Sequence, residues 1–309
     1  MSMDKMIEKI VQLQNPTVAG LDPKLAYIPE YIKAEAFAKT DDSFEAAAQS
    51  LYEFNKGLID ALCDIVPAVK PQAAYYEMYG WQGMRALANT IAYAKEKGMY
   101  VITDGKRNDI GTTMEAYATA HLGKTEINGK KYPAFDGDCL TVNAYLGSDG
   151  IVPLLKVCDE YDKGIFALVK TSNPSSGELQ DLMLGDKTVY ETVGQMCEKW
   201  GLDHMGSHGY SCVGAVVGAT YPSQLKELRE KLPHTFFLVP GYGAQGGGAN
   251  DVAGAFDNRG LGAIINSSRG IMCAYQKQNR DEKEFAQAAR EEALRMKEDL
   301  LRVSGDIRL

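Results

Sequence analysis

Short runs of apolar, often β-branched residues recur along the chain, and most are separated by longer stretches whose apolar positions repeat with helical spacing. The short runs predict strands at Thr17–Leu21, Ile65–Lys70, Met99–Asp104, Asp138–Asn143, Ile165–Lys170, Cys212–Val217, Phe236–Val239 and Ala263–Asn266. Helical spacing marks Phe44–Cys63, Trp81–Lys97, Val189–Trp200, Ser223–Lys231 and Asn250–Asp257, and a charged amphipathic helix over Asp281–Leu301 closes the pattern. Strand alternating with helix implies a parallel sheet joined by right-handed crossovers. The expected fold class is therefore α/β, a single (β/α)8 TIM barrel over residues 1–309, with no Pro-, Gly- or Ser-rich linker dividing it. Two stretches exceed a minimal barrel: the first connection, 23–42, and a polar Gly/Lys-rich excursion at 123–135.

Composition narrows the partners. A hydrophobic content of 45% with 24% charge suits a globular chain with a large core. A net charge of −8 argues against a nucleic-acid surface, although one locally basic pocket can still take an anion. The six cysteines are scattered without a Cys-x-x-Cys pair, which disfavours structural zinc and a disulfide framework. The amphipathic, acidic N-terminus is unlike a signal peptide, and no apolar run is long enough to span a membrane, so a cytoplasmic protein without a membrane partner is expected. His204 and His208 have the spacing of one helix face, but Gly206-Ser207 interrupts it, and no metal is assigned. Tyr75, Tyr76 and Tyr79 read as core or dimer packing rather than a stacking platform.

The chemistry concentrates at predicted strand ends. Asp104-Gly-Lys-Arg-Asn-Asp109 follows the third strand. In an extended segment alternate side chains share a face, so Asp104 and Lys106 should project together. A lysine among carboxylates stays protonated, which makes it a poor Schiff-base nucleophile but a good proton donor to a developing carbanion. An ordinary ion-paired turn is the competing explanation for these six residues alone. The first strand ends at Asp22 and the second at Lys70, so acids and lysines alternate around the rim. The fifth strand runs into Lys170-Thr-Ser-Asn-Pro-Ser-Ser-Gly177, a polar turn. The seventh runs into Pro240-Gly-Tyr-Gly-Ala-Gln-Gly-Gly-Gly248, whose glycine amides, with the positive end of the next helix, can converge on an anion. The eighth places Arg269 beside that loop, and phosphate sites recur after strands seven and eight of this barrel.

Together, Asp-x-Lys-x-x-Asp before Ile110, the preceding Lys70, Pro-Gly-x-Gly-Ala-Gln-Gly and Ser-Arg-Gly resemble the orotidine 5'-phosphate decarboxylase family in its longer bacterial form. The likeness runs from Gly20 to Gly270. It implies decarboxylation of orotidine 5'-monophosphate to UMP and carbon dioxide, the last step of de novo pyrimidine nucleotide synthesis, without metal or organic cofactor. It further implies that Lys106 protonates C6 of the pyrimidine, that Asp104 faces the departing carboxylate, and that Lys70 and Asp109 hold the charges in register. Asp22 would bind the ribose, Ser172 (or Thr171, one residue earlier) the pyrimidine amide edge, and Gln245 with Arg269 the 5'-phosphate. Asp109 and Thr113 would reach into a neighbouring subunit, giving a homodimer with shared sites. Two alternatives stay open: a metal-dependent sugar-phosphate decarboxylase of the same superfamily, and a catalytically silent barrel that binds nucleotide phosphate.

Overall fold

A computed structural model describes residues 2–243 and 247–309. Eight strands pair in parallel and close on themselves: β1 (Thr17–Leu21), β2 (Ala68–Pro71), β3 (Tyr100–Arg107), β4 (Cys139–Val142), β5 (Gly164–Lys170), β6 (Val213–Val217), β7 (Phe237–Val239) and β8 (Ala263–Ser267). Each strand neighbours the next in sequence, and β1 meets β8 with Thr17 opposite Ile265. The expected TIM barrel is the observed fold. Because both faces of every strand are covered, the strands read as nearly continuous apolar runs.

Alternation divides those side chains between two cores. Val18, Ala68, Ile102, Phe166, Leu238 and Ile264 belong to the cluster filling the bore, while Ala19, Val69, Val101, Ala167, Ala215 and Ile265 pack toward the helices. The N-terminal helix Ser2–Leu13 adds fully buried Met3, Met6, Ile7 and Ile10 to the bore cluster. Each such side chain contributes about 1.5–3 kcal/mol by leaving water. The helix thus stoppers the amino-terminal end and leaves the carboxyl-terminal end for chemistry.

Several elements differ from expectation. The excursion at 123–135 contains a two-stranded hairpin, Thr125–Ile127 with Lys130–Tyr132. Asn128 and Gly129 turn it with φ of 52° and 74°, the left-handed pair that a tight hairpin requires. A second hairpin, Met183–Leu184 with Lys187–Thr188, lies in the connection after β5. The expected helix Asn250–Asp257 is a single turn, Ala249–Val252, followed by a 3-10 turn. There Gly254 lies so close to Lys226 that an added Cβ would meet its Cβ at 2.8 Å. No helix among the described residues is long and apolar enough to cross a membrane.

Candidate active site

The carboxyl ends of β1, β2, β3 and β4 bring five polar side chains together: Asp22, Lys70, Asp104, Lys106 and Thr141. Asp104, 7% exposed, lies between two lysines: Lys70 Nζ is 2.8 Å from its Oδ2 and Lys106 Nζ 2.6 Å from its Oδ1. Lys70 is itself buried on β2, and Asp22 stands beyond it with Oδ1 at 3.9 Å. Burial alone would raise the Asp104 carboxyl, but the two adjacent ammonium groups outweigh it and hold the group well below the usual carboxylate range. Burial likewise opposes the charge of Lys70, and Asp104 with Asp22 reverses that, so its ammonium is held more firmly than an ordinary lysine's. Each charge is stable only because the others are present.

Simple alternation did not foresee how Lys106 arrives there. Thr103 pairs with Leu140 and Arg107 with Val142, so β3 carries two more residues than β4 over the same span. The excess is absorbed at Lys106, whose φ of 47° is left-handed and strained for a lysine. Thr141 on β4 secures the turn: its hydroxyl accepts the Lys106 amide at 3.0 Å and donates to Asp104 Oδ1 at 2.8 Å. Sequence reasoning missed Thr141; the available signal was a polar residue at a bore-facing position near a strand end.

The charged trio separates two halves of one cleft. On one side Leu168, Val216 and Leu238 make an apolar floor in a cavity of about 440 Å³, bounded by Lys106, Thr171, Ser172 and Gln180. On the other a polar cavity of about 320 Å³ extends past Asp22 and Tyr75 to Asn266 and Arg269. Lys70, Asp104 and Pro240 line both. Thr171 and Ser172 both reach the cleft, but the Thr171 hydroxyl is engaged by Gln180 and Asn173, whereas that of Ser172 has no partner among the described residues. Tyr76 is core, as expected, while Tyr75 lines the cleft. Asn266 was also missed: it is buried, lines the polar half, and its Oδ1 has no hydrogen-bond partner among the described residues.

Other expected residues stay apart. Asp109 accepts the amide of Ile110 at 2.8 Å and lines neither half of the cleft, and Thr113 is exposed on the helix Gly111–His121. Within one chain Lys70, Asp104 and Lys106 stand together, and Asp109, expected in a neighbouring subunit's site, stands apart from them. Gln245 lies outside the described residues. The helix after its loop is one turn, and the Gly248 amide at its start is taken by Asp251 at 2.7 Å, so the expected helix-dipole contribution to anion binding is small. His204 and His208 point to different carboxylates, Asp159 and Glu8, and do not converge.

Comparison with known proteins gives the family. Residues 49–283 match the sequence profile of the orotidine 5'-phosphate decarboxylase / HUMPS family. An orotidine 5'-phosphate decarboxylase of Rhodopirellula baltica is 45% identical over 295 residues, covering 94% of this chain and 96% of the relative. The structure of Leishmania donovani OMP decarboxylase superposes with a TM-score of 0.71 at 30% identity, covering 96% of this chain and 98% of that one. Leishmania donovani UMP synthase gives a TM-score of 0.71 at 32% identity, with 94% of this chain matching 56% of that longer one. A profile match over most of the barrel, with a relative this similar along nearly its whole length, makes the chain a member of the orotidine 5'-phosphate decarboxylase / HUMPS family.

Proposed function

We propose that the protein decarboxylates orotidine 5'-monophosphate to UMP and carbon dioxide, with the whole chain acting as one barrel domain. The observation that carries this reading is Asp104 locked between Lys70 and Lys106 at the junction of an apolar and a polar cavity. A pyrimidine suits the apolar half, with Ser172 available to its amide edge. A ribose suits the polar half beside Asp22, with the phosphate at Arg269 and Gln245.

In this pose the substrate carboxylate approaches Asp104, and like charges in a confined site favour its departure. The C6–carboxylate bond breaks, carbon dioxide leaves, and the electron pair stays on C6. The Lys106 ammonium stabilises that anion and then transfers its proton to the carbon. Lys70 keeps Asp104 ionised and Lys106 aligned, so little reorganisation accompanies the developing charge. No cofactor is called on in this sequence of steps. Binding of the distant phosphate can supply energy for loop closure over the base.

Asp109 and Thr113 belong to this proposal through a second copy of the chain. Both lie outside their own cleft, next to exposed Ile110, and a homodimer would let them complete the partner's array. A cytoplasmic location suits an enzyme acting on a free nucleotide. The test is direct: purified protein should consume orotidine 5'-monophosphate, followed by pyrimidine absorbance, and Lys106→Ala should abolish turnover while still binding UMP. Near-normal turnover by that variant would remove the proposed mechanism.

A further inference from the structure

Lys170, at the end of β5, has no part in the chemistry above, yet it is fully buried. Its direction comes from a β-bulge. Leu168 pairs with Val216 and Lys170 with Val217, so β5 carries one extra residue there. Leu168 faces the cleft, and Lys170 pairs instead with Val217, whose side chain packs in the outer core. Its ammonium lies 4.7 Å from the ring of Tyr221 and 5.5 Å from that of Tyr190. Its hydrogen-bonding partners come from the loop that follows: Asp181 Oδ1 at 2.7 Å and Ser176 Oγ at 3.2 Å.

Backbone bonds from Val189 to Leu182 and from Tyr190 to Gln180 tie the far end of that loop to the next helix, but its apolar side chains add little. Leu179, Leu182, Met183 and Leu184 are all at least half exposed, so apolar burial does not fix its course. Polar clasps do. Beside the Lys170–Asp181 pair, Gln180 Oε1 accepts the Thr171 amide at 2.9 Å and its Nε2 donates to the Thr171 hydroxyl at 2.8 Å. Two glycines leave room for this arrangement. A Cβ on Gly177 would come within 2.9 Å of the Asp181 carboxylate, and one on Gly218 within 3.0 Å of the Ser172 backbone. Between the clasps, Thr171, Ser172, Asn173 and Gln180 face the apolar half of the cleft.

We propose that Lys170 is a positioning residue for base recognition: the ion pair between this buried ammonium and the partly exposed Asp181 carboxylate latches the loop 171–181 so that Ser172 is already aimed at the pyrimidine before substrate arrives. The inference rests on the decarboxylase reading for the identity of the base. The latch lowers the ordering cost that binding would otherwise carry, and it does so for the base alone, because the phosphate is held by other strands.

Two variants test it: Asp181→Ala, and the double variant Lys170→Met with Asp181→Asn, which leaves no orphaned buried charge and so keeps the fold intact. UMP and ribose 5-phosphate, which has no base, are titrated by calorimetry into each. Both variants should bind UMP about tenfold more weakly and ribose 5-phosphate within about twofold of wild type. KM for orotidine 5'-monophosphate should rise, Asp181→Glu should restore part of the loss, and in a Ser172→Ala background the Asp181→Ala change should cost little more. Unchanged UMP affinity in the double variant, or equal weakening of both ligands, overturns the latch. Wild-type turnover of orotidine 5'-monophosphate is the reference: if it is present, those results overturn the latch alone; if it is absent, the decarboxylase reading falls and the latch's assigned base with it.

Discussion

Replacing Asp104 by asparagine removes one charge at nearly constant volume and measures what the array costs the fold. Lys70, 4% exposed, would lose its partner at 2.8 Å and keep only Asp22, at 3.9 Å. Deleting one member of a buried pair typically destabilises by about 3–5 kcal/mol, since the remaining ion is left uncompensated. The Lys106 side chain is 47% exposed, so its lost contact adds no more than about 1 kcal/mol. Asp104→Asn should therefore destabilise by about 3–5 kcal/mol, read as a lower urea midpoint at an unchanged slope. The loss should depend on pH. Because the folded-state pKa of Asp104 is depressed, its contribution is complete above the unfolded carboxylate value and fades as pH falls toward the folded one. The difference between wild type and variant should hold steady above about pH 4 and narrow below it, by at most about 1.4 kcal/mol per pH unit. A difference under about 1 kcal/mol at pH 7 would refute the reasoning, as would one that stayed constant into strong acid.

Arg269→Ala should weaken UMP far more than uridine, because a charge-assisted contact to phosphate is lost; equal weakening in calorimetry would move the phosphate site elsewhere. Lys106→Ala and Asp109→Ala proteins, each nearly inactive, should recover roughly a quarter of wild-type activity when unfolded and refolded as a mixture, since half the dimers are mixed and half their sites are whole. No recovery, with mixed dimers demonstrated, would end the shared-site proposal. Gly214→Ala on β6 should lower stability by about 1–3 kcal/mol in thermal melts, as overpacking does. Its Cβ would meet the Phe166 ring at 2.4 Å and the Phe236 carbonyl oxygen at 2.8 Å, so an unchanged melting temperature would refute tight packing of the bore at this strand.

The barrel was legible because its cause is local. Apolar runs such as Thr17–Leu21 and Ala263–Ser267 are short and β-branched, and helices bury them on both faces, so composition alone marks them as parallel strands. The Asn128-Gly129 hairpin is equally local, because that dipeptide readily takes the left-handed backbone of a tight turn. At the candidate site, Asp22, Lys70, Asp104 and Lys106 could be gathered from the chain because strand ends of a closed parallel barrel share one rim. Tertiary structure decided the rest. The left-handed turn at Lys106 and the bulge before Lys170 arise from unequal residue counts on paired strands, which no single segment encodes. Thr141 meets Asp104 across 37 residues of sequence, and Asp181 meets Lys170 only after an irregular loop has folded back. Periodic burial is written residue by residue, whereas the pairing of charges waits on which backbone the barrel brings alongside.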